Sequence, residues 1–193
     1  MDYNFFLRHT WLALISPSKV LDTIRTGTNS ARHLRNNLLF PLLFLVALFS
    51  FLGSLIFPDV TFHPLYSVVA SVKLFLLDLF LVYVSSLIFR EIAKALDLEA
   101  DFSLSFMIIV YTLTPLFLCQ MVSFLFQSLV FVNILSLYGL WILWTAGETL
   151  LGTPEHKKMP LVVASFVVIA ELYIGGFIAF SSVFDRIFYA FFA

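Results

Sequence analysis

The chain has 193 residues, 61% of them hydrophobic and only 12% charged, with 24 phenylalanines and a mean hydropathy of +1.01. Soluble domains run at about 45–50% apolar and about 25% charged, so a water-soluble fold of this size has nowhere to hide this much apolar surface. A formal net charge of −1 argues against a nucleic-acid binder, which needs a basic excess. The medium is a lipid bilayer.

The first apolar stretch, "FFLRHTWLALI", is broken by Arg8 and His9, and no small-residue cleavage site follows it. It does not read as a cleavable signal. Residues 1–36 form a separate cytoplasmic amphipathic region. In "SPSKVLDTIRTG", Ser16 is placed as an N-cap, Pro17 at the first helical position and Gly27 as a stop. Val20, Leu21 and Ile24 share one face, Lys19, Asp22 and Arg25 look elsewhere, and Phe5, Phe6, Trp11 and Leu14 add apolar bulk upstream. This pattern fits a helix lying along the cytoplasmic face of the membrane. The same stripe fits a helix folded under the bundle as a plug.

A hydrocarbon core of about 30 Å needs roughly 20 apolar residues per helix. Five stretches qualify, at about 38–57, 65–89, 104–126, 129–151 and 161–180. They define a transmembrane domain over 37–184, with an interfacial tail at 185–193. Between the spans lie a short link, "PDVTFHP", the charged segment "REIAKALDLEAD" and the turn "GTPEHKKMP". The expected fold is all-α: a polytopic integral membrane protein of five helices behind a cytoplasmic amphipathic region. With the N-terminus inside, Arg186 is the one outer basic residue and Lys73 lies within the membrane, which leaves the other nine of 11 Lys and Arg on the inner side. That bias sets the N-terminus in the cytoplasm and the C-terminus outside.

Lys73 and Asp78 interrupt span two in "SVKLFLLDLFLVYV". Five residues turn a helix by about 500°, so the two do not share a face. Asp78, near the midplane, shares its face with Ser67, Ser71 and Ser85, and small residues mark close helix packing. Glu171 reaches the same depth in span five, on a face with Ala164, Gly175 and Ser182. If spans two and five touch, Lys73 bridges the carboxylates or one of them stays protonated; otherwise the Lys73 stem snorkels outward. A charge at the centre of a membrane helix costs roughly 2.5–3.5 kcal/mol even on the lenient insertion scale. Lys73, Asp78 and Glu171 are therefore a candidate polar network, read either as a clamp holding the bundle or as an ion or proton site. Pro115 is expected to kink span three by removing the bond to the Tyr111 carbonyl, with Thr112 and Thr114 placed to help. Glu148, near the end of span four, reaches solvent.

No H-E-x-x-H helix, G-x-S-x-G elbow or glycine-rich phosphate loop occurs. His9, His33, His63 and His156 are too scattered for a metal site, and the lone Cys119 reads as a small packed hydrophobe. An enzyme, a cofactor and a metal are not expected.

The stretches "VYTLTPLFLCQ" and "YGLWILWTAGETLLGTPEHKK", with Tyr111, Pro115, Tyr138 and Gly147, resemble the YIP family of Ypt/Rab-interacting membrane proteins in its bacterial form. "W…ISPSKVLDTI" is similar to the opening of bacterial members. The resemblance runs from about Trp11 to Phe180. It implies five membrane helices, a cytoplasmic N-terminus and no enzymatic activity. Eukaryotic relatives act in vesicle traffic through small GTPases, but the long acidic region associated with that binding is missing here, so GTPase binding is not carried over. The expected role is to organise the lipid bilayer or protein partners of unknown identity, with homo-oligomers left open. The rival is a small transporter, ion or proton permease or lipid-moving protein that uses the midplane carboxylates.

Overall fold

The computed structural model describes residues 3–27, 30–57 and 64–192. The link at 58–63, and His63 with it, lies outside them. The described elements are helical. Hydrocarbon offers backbone groups no partner, so a spanning segment satisfies them within its own helix.

Two short helices come first, α1 (Tyr3–Ile15) and α2 (Pro17–Arg25). Pro17 opens α2 where its missing N–H is no loss. Ser16 holds the N-cap position, but its side chain makes no capping bond. Gly27 takes a left-handed φ of +68° just past Thr26, a conformation that glycine adopts without strain. Then α3 (Ala31–Leu34), a π-helical turn (Arg35–Leu39) and α4 (Phe40–Ile56) follow without interruption. The polar stretch ahead of span one is thus helical, and no break falls at residue 36.

The next helix, α5 (Pro64–Ala95), and the last, α8 (Glu155–Phe192), outrun the spans expected at 65–89 and 161–180. At about 1.5 Å per residue each is far longer than a hydrocarbon core of about 30 Å. "REIAKA" is a helical extension of span two. The tail from 185 continues α8 and is not a separate element. Phe188 is buried there and meets the Tyr66 ring edge-on at 5.1 Å, while the Tyr66 hydroxyl donates to Asp185 Oδ1 at 3.0 Å.

Helix α6 (Phe102–Leu125) is the axis of the bundle, with every residue from Ser105 to Pro115 buried. Asp101 caps it, accepting from the Leu104 N–H at 2.7 Å. The helix continues through Pro115. The Thr114 hydroxyl donates to the Val110 carbonyl and not to that of Tyr111, and the Thr112 hydroxyl has no partner. Span four, expected as one α-helix, divides into a 3₁₀ segment (Gln127–Leu137) and α7 (Tyr138–Thr149).

Packing runs α5 against α8, α4 and α6, and α6 against α4 and α7. A Cβ on Gly53 would collide with the Phe124 carbonyl, and one on Gly139 with the Thr112 carbonyl. Such close approaches hold helices together in lipid, where no hydrophobic drive acts between them. The resulting registers bring Arg32, Arg35, Arg90, Lys94, Lys157 and Lys158 to one end of the bundle, the basic end. There Lys157 Nζ donates to the Leu96 carbonyl at 2.7 Å and pairs with Asp97 at 3.1 Å, while Lys158 pairs with Glu155 at 2.7 Å and with the exposed Glu148 at 3.5 Å.

Candidate functional site

Asp78 is 0% exposed in the middle of the bundle, with Ser67, Ser71 and Ser85 buried on its helix. Gln120 of α6 reaches it. The Gln120 amide nitrogen donates to Asp78 Oδ1 at 3.4 Å and to the Tyr173 hydroxyl of α8 at 3.2 Å. One amide therefore ties three helices. Asp78 Oδ2 and Gln120 Oε1 are buried without partners, so the cluster is only half satisfied. Sequence reasoning passed over Gln120; its signal was being a neutral amide deep inside an apolar span, where polar groups seek partners across helices.

Lys73 does bridge spans two and five, though through neither carboxylate. Its ammonium donates to Ser181 at 3.2 Å and stands 5.6 Å from the Phe177 ring centre. Glu171 is a correction to the expected network. It is exposed, on an outer face with Gly175, Ile178 and Ser182, and has no hydrogen bond or ion pair among the described residues. The glycine that α8 uses for packing is Gly176, where a Cβ would meet Leu77. Gly175 and Gly176 point about 100° apart on a helix, so choosing the wrong one turned Glu171 inward.

A partly open cavity of about 340 Å³ lies between α6, the 3₁₀ segment, α7 and α8. Its polar lining comes from Thr112, Asn133, Ser136 and Tyr173 among apolar side chains. Tyr173 thus belongs both to this cavity and to the Asp78 cluster. The volume falls at the small end of ligand pockets, about 300–1,000 Å³.

At the N-terminus, α2 buries Pro17, Val20, Leu21 and Ile24 while packing on α7 and α6. Those apolar residues face protein, so the interfacial reading of α2 gives way to the plug. Helix α1 is two-sided. It buries Phe6, His9 and Ala13, yet Tyr3, Leu7, Trp11 and Ile15, four residues apart, are 58–69% exposed. His9 Nδ1 is hydrogen-bonded to the Tyr111 hydroxyl at 2.8 Å, and its ring stacks on Phe5 at 3.9 Å. Phe5 in turn meets His33 edge-on at 4.6 Å. Of the resemblance residues, Tyr111 thus fastens α1, Tyr138 opens α7 beside the cavity of Pro115 and Leu14, and Gly147 is buried with Leu161 and Thr153 alongside.

Burial holds the His9 imidazole below its ordinary pKa of 6.5, and Arg8 and His33 push it the same way. The docked state therefore binds fewer protons than the undocked one. Docking is at full strength above about pH 6.5 and weakens as pH falls below it. Limited proteolysis of α1 is expected to speed up between pH 7.5 and 5.5 in the wild type and to stay flat in His9→Gln.

Among the described residues, no three His, Cys, Asp or Glu come close enough to hold a metal ion. No curated protein and no solved structure matches the chain. The model of the Yip1 domain matches residues 11–178. With five helices among the described residues long and apolar enough to cross a membrane and most of its length inside that match, the chain is a multi-pass membrane protein that belongs to the Yip1-domain family.

Proposed function

We propose that this chain is a non-enzymatic organiser of the cytoplasmic leaflet, working in the inner membrane of a bacterium with its N-terminus inside and its C-terminus outside. The observation that carries the reading is the two-sided α1. One face is locked to the bundle through His9 and Tyr111, and the other offers Tyr3, Leu7, Trp11 and Ile15. Tyr111 lies nine residues into α6, and Leu14 shares a cavity lining with Pro115 and Leu118, so α1 leads down into the leaflet and α2 returns along α7. An apolar helix face held in one leaflet, here that of α1, adds area to that leaflet alone and perturbs its packing. Tyr3, at the outer end of that face, suits the headgroup boundary. The same exposed stripe is where a protein partner would engage.

The test uses full-length protein in liposomes carrying a packing-sensitive dye. Wild type is expected to shift the dye signal, and Leu7→Glu/Trp11→Glu to lose at least half of that shift at unchanged helicity. An undiminished shift in the variant contradicts the reading. These substitutions spare the buried face, whereas deleting residues 1–30 would strip the cover from α6 and α7.

The permease reading draws support from one feature, the half-satisfied Asp78 beside a cavity that Tyr173 shares. Proton, ion or labelled-lipid flux in wild-type liposomes that disappears in Asp78→Asn would establish it. Absence of flux in the wild type removes it.

A further inference from the structure

A second opening lies at the basic end. A groove of about 110 Å³ runs between α3, the π-helical turn, α5 and α6, lined by Ala31, Arg32, Arg35, Tyr83, Phe102 and Phe106. Its two guanidiniums stand three residues apart, a spacing that puts side chains on one helix face.

Neither arginine has a carboxylate partner among the described residues. Arg35 Nε donates to the neighbouring Asn36 Oδ1 at 3.3 Å, and its guanidinium carbon stands 6.0 Å from the Phe40 ring centre. Of the acids nearby, Asp101 caps α6, Glu91 holds Arg90 at 2.7 Å and Lys94 at 3.3 Å, and the exposed Glu99 pairs with neither arginine. Lys157 and Lys158, at the same end, both have acid partners. Among the described basic residues at this end, the arginine pair is left with unspent charge in a concave site. Its walls are aromatic, with Tyr83 packed on Phe106 at 5.4 Å and Phe102 on Phe106 at 6.1 Å. Arg35 lies three residues before Leu38, where the apolar run of span one begins, so the groove stands at headgroup level.

We infer that the Arg32–Arg35 groove binds the phosphate of an anionic phospholipid headgroup. The guanidinium fork matches phosphate oxygens in geometry as well as charge. Basic pockets between membrane helices suit headgroups for the same reason. The aromatic walls accept the glycerol backbone and upper acyl carbons. This binding does not depend on the α1 wedge, so Leu7→Glu/Trp11→Glu is expected to leave it intact, and the two ideas fail separately.

The experiment titrates detergent-purified full-length protein with short-chain phosphatidylglycerol, with phosphatidylcholine of the same chain length and with inorganic phosphate. Wild type is expected to bind phosphatidylglycerol about tenfold or more tighter than phosphatidylcholine, whose phosphate is offset by its own quaternary ammonium, each arginine being worth roughly fivefold towards a net-anionic headgroup. Arg32→Gln/Arg35→Gln is expected to abolish that preference, while Lys19→Gln/Arg25→Gln, an equal charge change outside the groove, retains it. Should the first pair fail to fold, Arg32→Lys/Arg35→Lys keeps the charge but loses the fork and is expected to weaken binding. Undiminished preference in the folded groove variant, or equal loss in the control pair, overturns the site. Inorganic phosphate competing as well as phosphatidylglycerol overturns the lipid assignment.

Discussion

Gly139→Ala is expected to lower the stability of the bundle by about 3 kcal/mol, the upper end for an added methyl in a packed interior. The new Cβ would run into the backbone carbonyl of Thr112, and a backbone atom cannot swing aside as the end of a side chain can. Relief requires α7 to move away from α6, which opens the cavity wall that Gly139 and Thr112 share. Gly53→Ala meets the Phe124 carbonyl in the same way and is expected to behave alike. Gly175→Ala is the control, since its Cβ would meet open space; it should not lower stability, and replacing a mid-helix glycine adds up to about 1 kcal/mol. Unfolding by denaturing detergent, followed by circular dichroism, reads all three. Equal stabilities for Gly139→Ala and Gly175→Ala would refute the close approach.

Gln120→Leu is expected to cost about 2–3 kcal/mol. It removes the one described donor to Asp78 and leaves a buried carboxyl among hydrocarbon, with Tyr173 released as well. Asp78→Asn keeps a polar partner for Gln120, so about 1 kcal/mol or less is expected, in line with hydrogen bonds between membrane helices. The informative variant is the double one. Asp78→Leu/Gln120→Leu removes both halves of the cluster, and its loss should fall well short of the sum of the two leucine singles. Strict additivity would show that the contact carries no coupling and that the cluster is not a clamp.

The spans were legible because lipid imposes a length and a polarity that composition records directly. Helix ends were less so. Arg90, Glu91 and Lys94 are too polar for hydrocarbon, and reading them as the end of the helix as well was wrong; α5 runs on to Ala95. The tail was split off from α8 because the aromatic residues within 188–192 look the same whether a helix ends or continues. Asp78 was found by its charge. Gln120 was missed because a neutral amide raises no alarm in a hydropathy scan, and Glu171 was misplaced because two adjacent glycines offered two packing faces. Val20, Leu21 and Ile24 made a clear stripe, but a stripe does not say whether lipid or protein covers it. That choice is tertiary, and here α6 and α7 make it. His9 and Tyr111, 102 residues apart, had no sequence signal linking them.

Depth profiling of α1 by spin labels tests the wedge most directly, in a Cys119→Ser background with single cysteines in turn at Leu7, Trp11, Phe6 and Ala13. Labels at Leu7 and Trp11 are expected to collide readily with oxygen and poorly with an aqueous nickel reagent, while those at Phe6 and Ala13 are immobile and shielded from both. High nickel accessibility at all four positions, the mark of a helix standing free in water, would contradict an amphipathic arm anchored to the bundle and dipping into lipid.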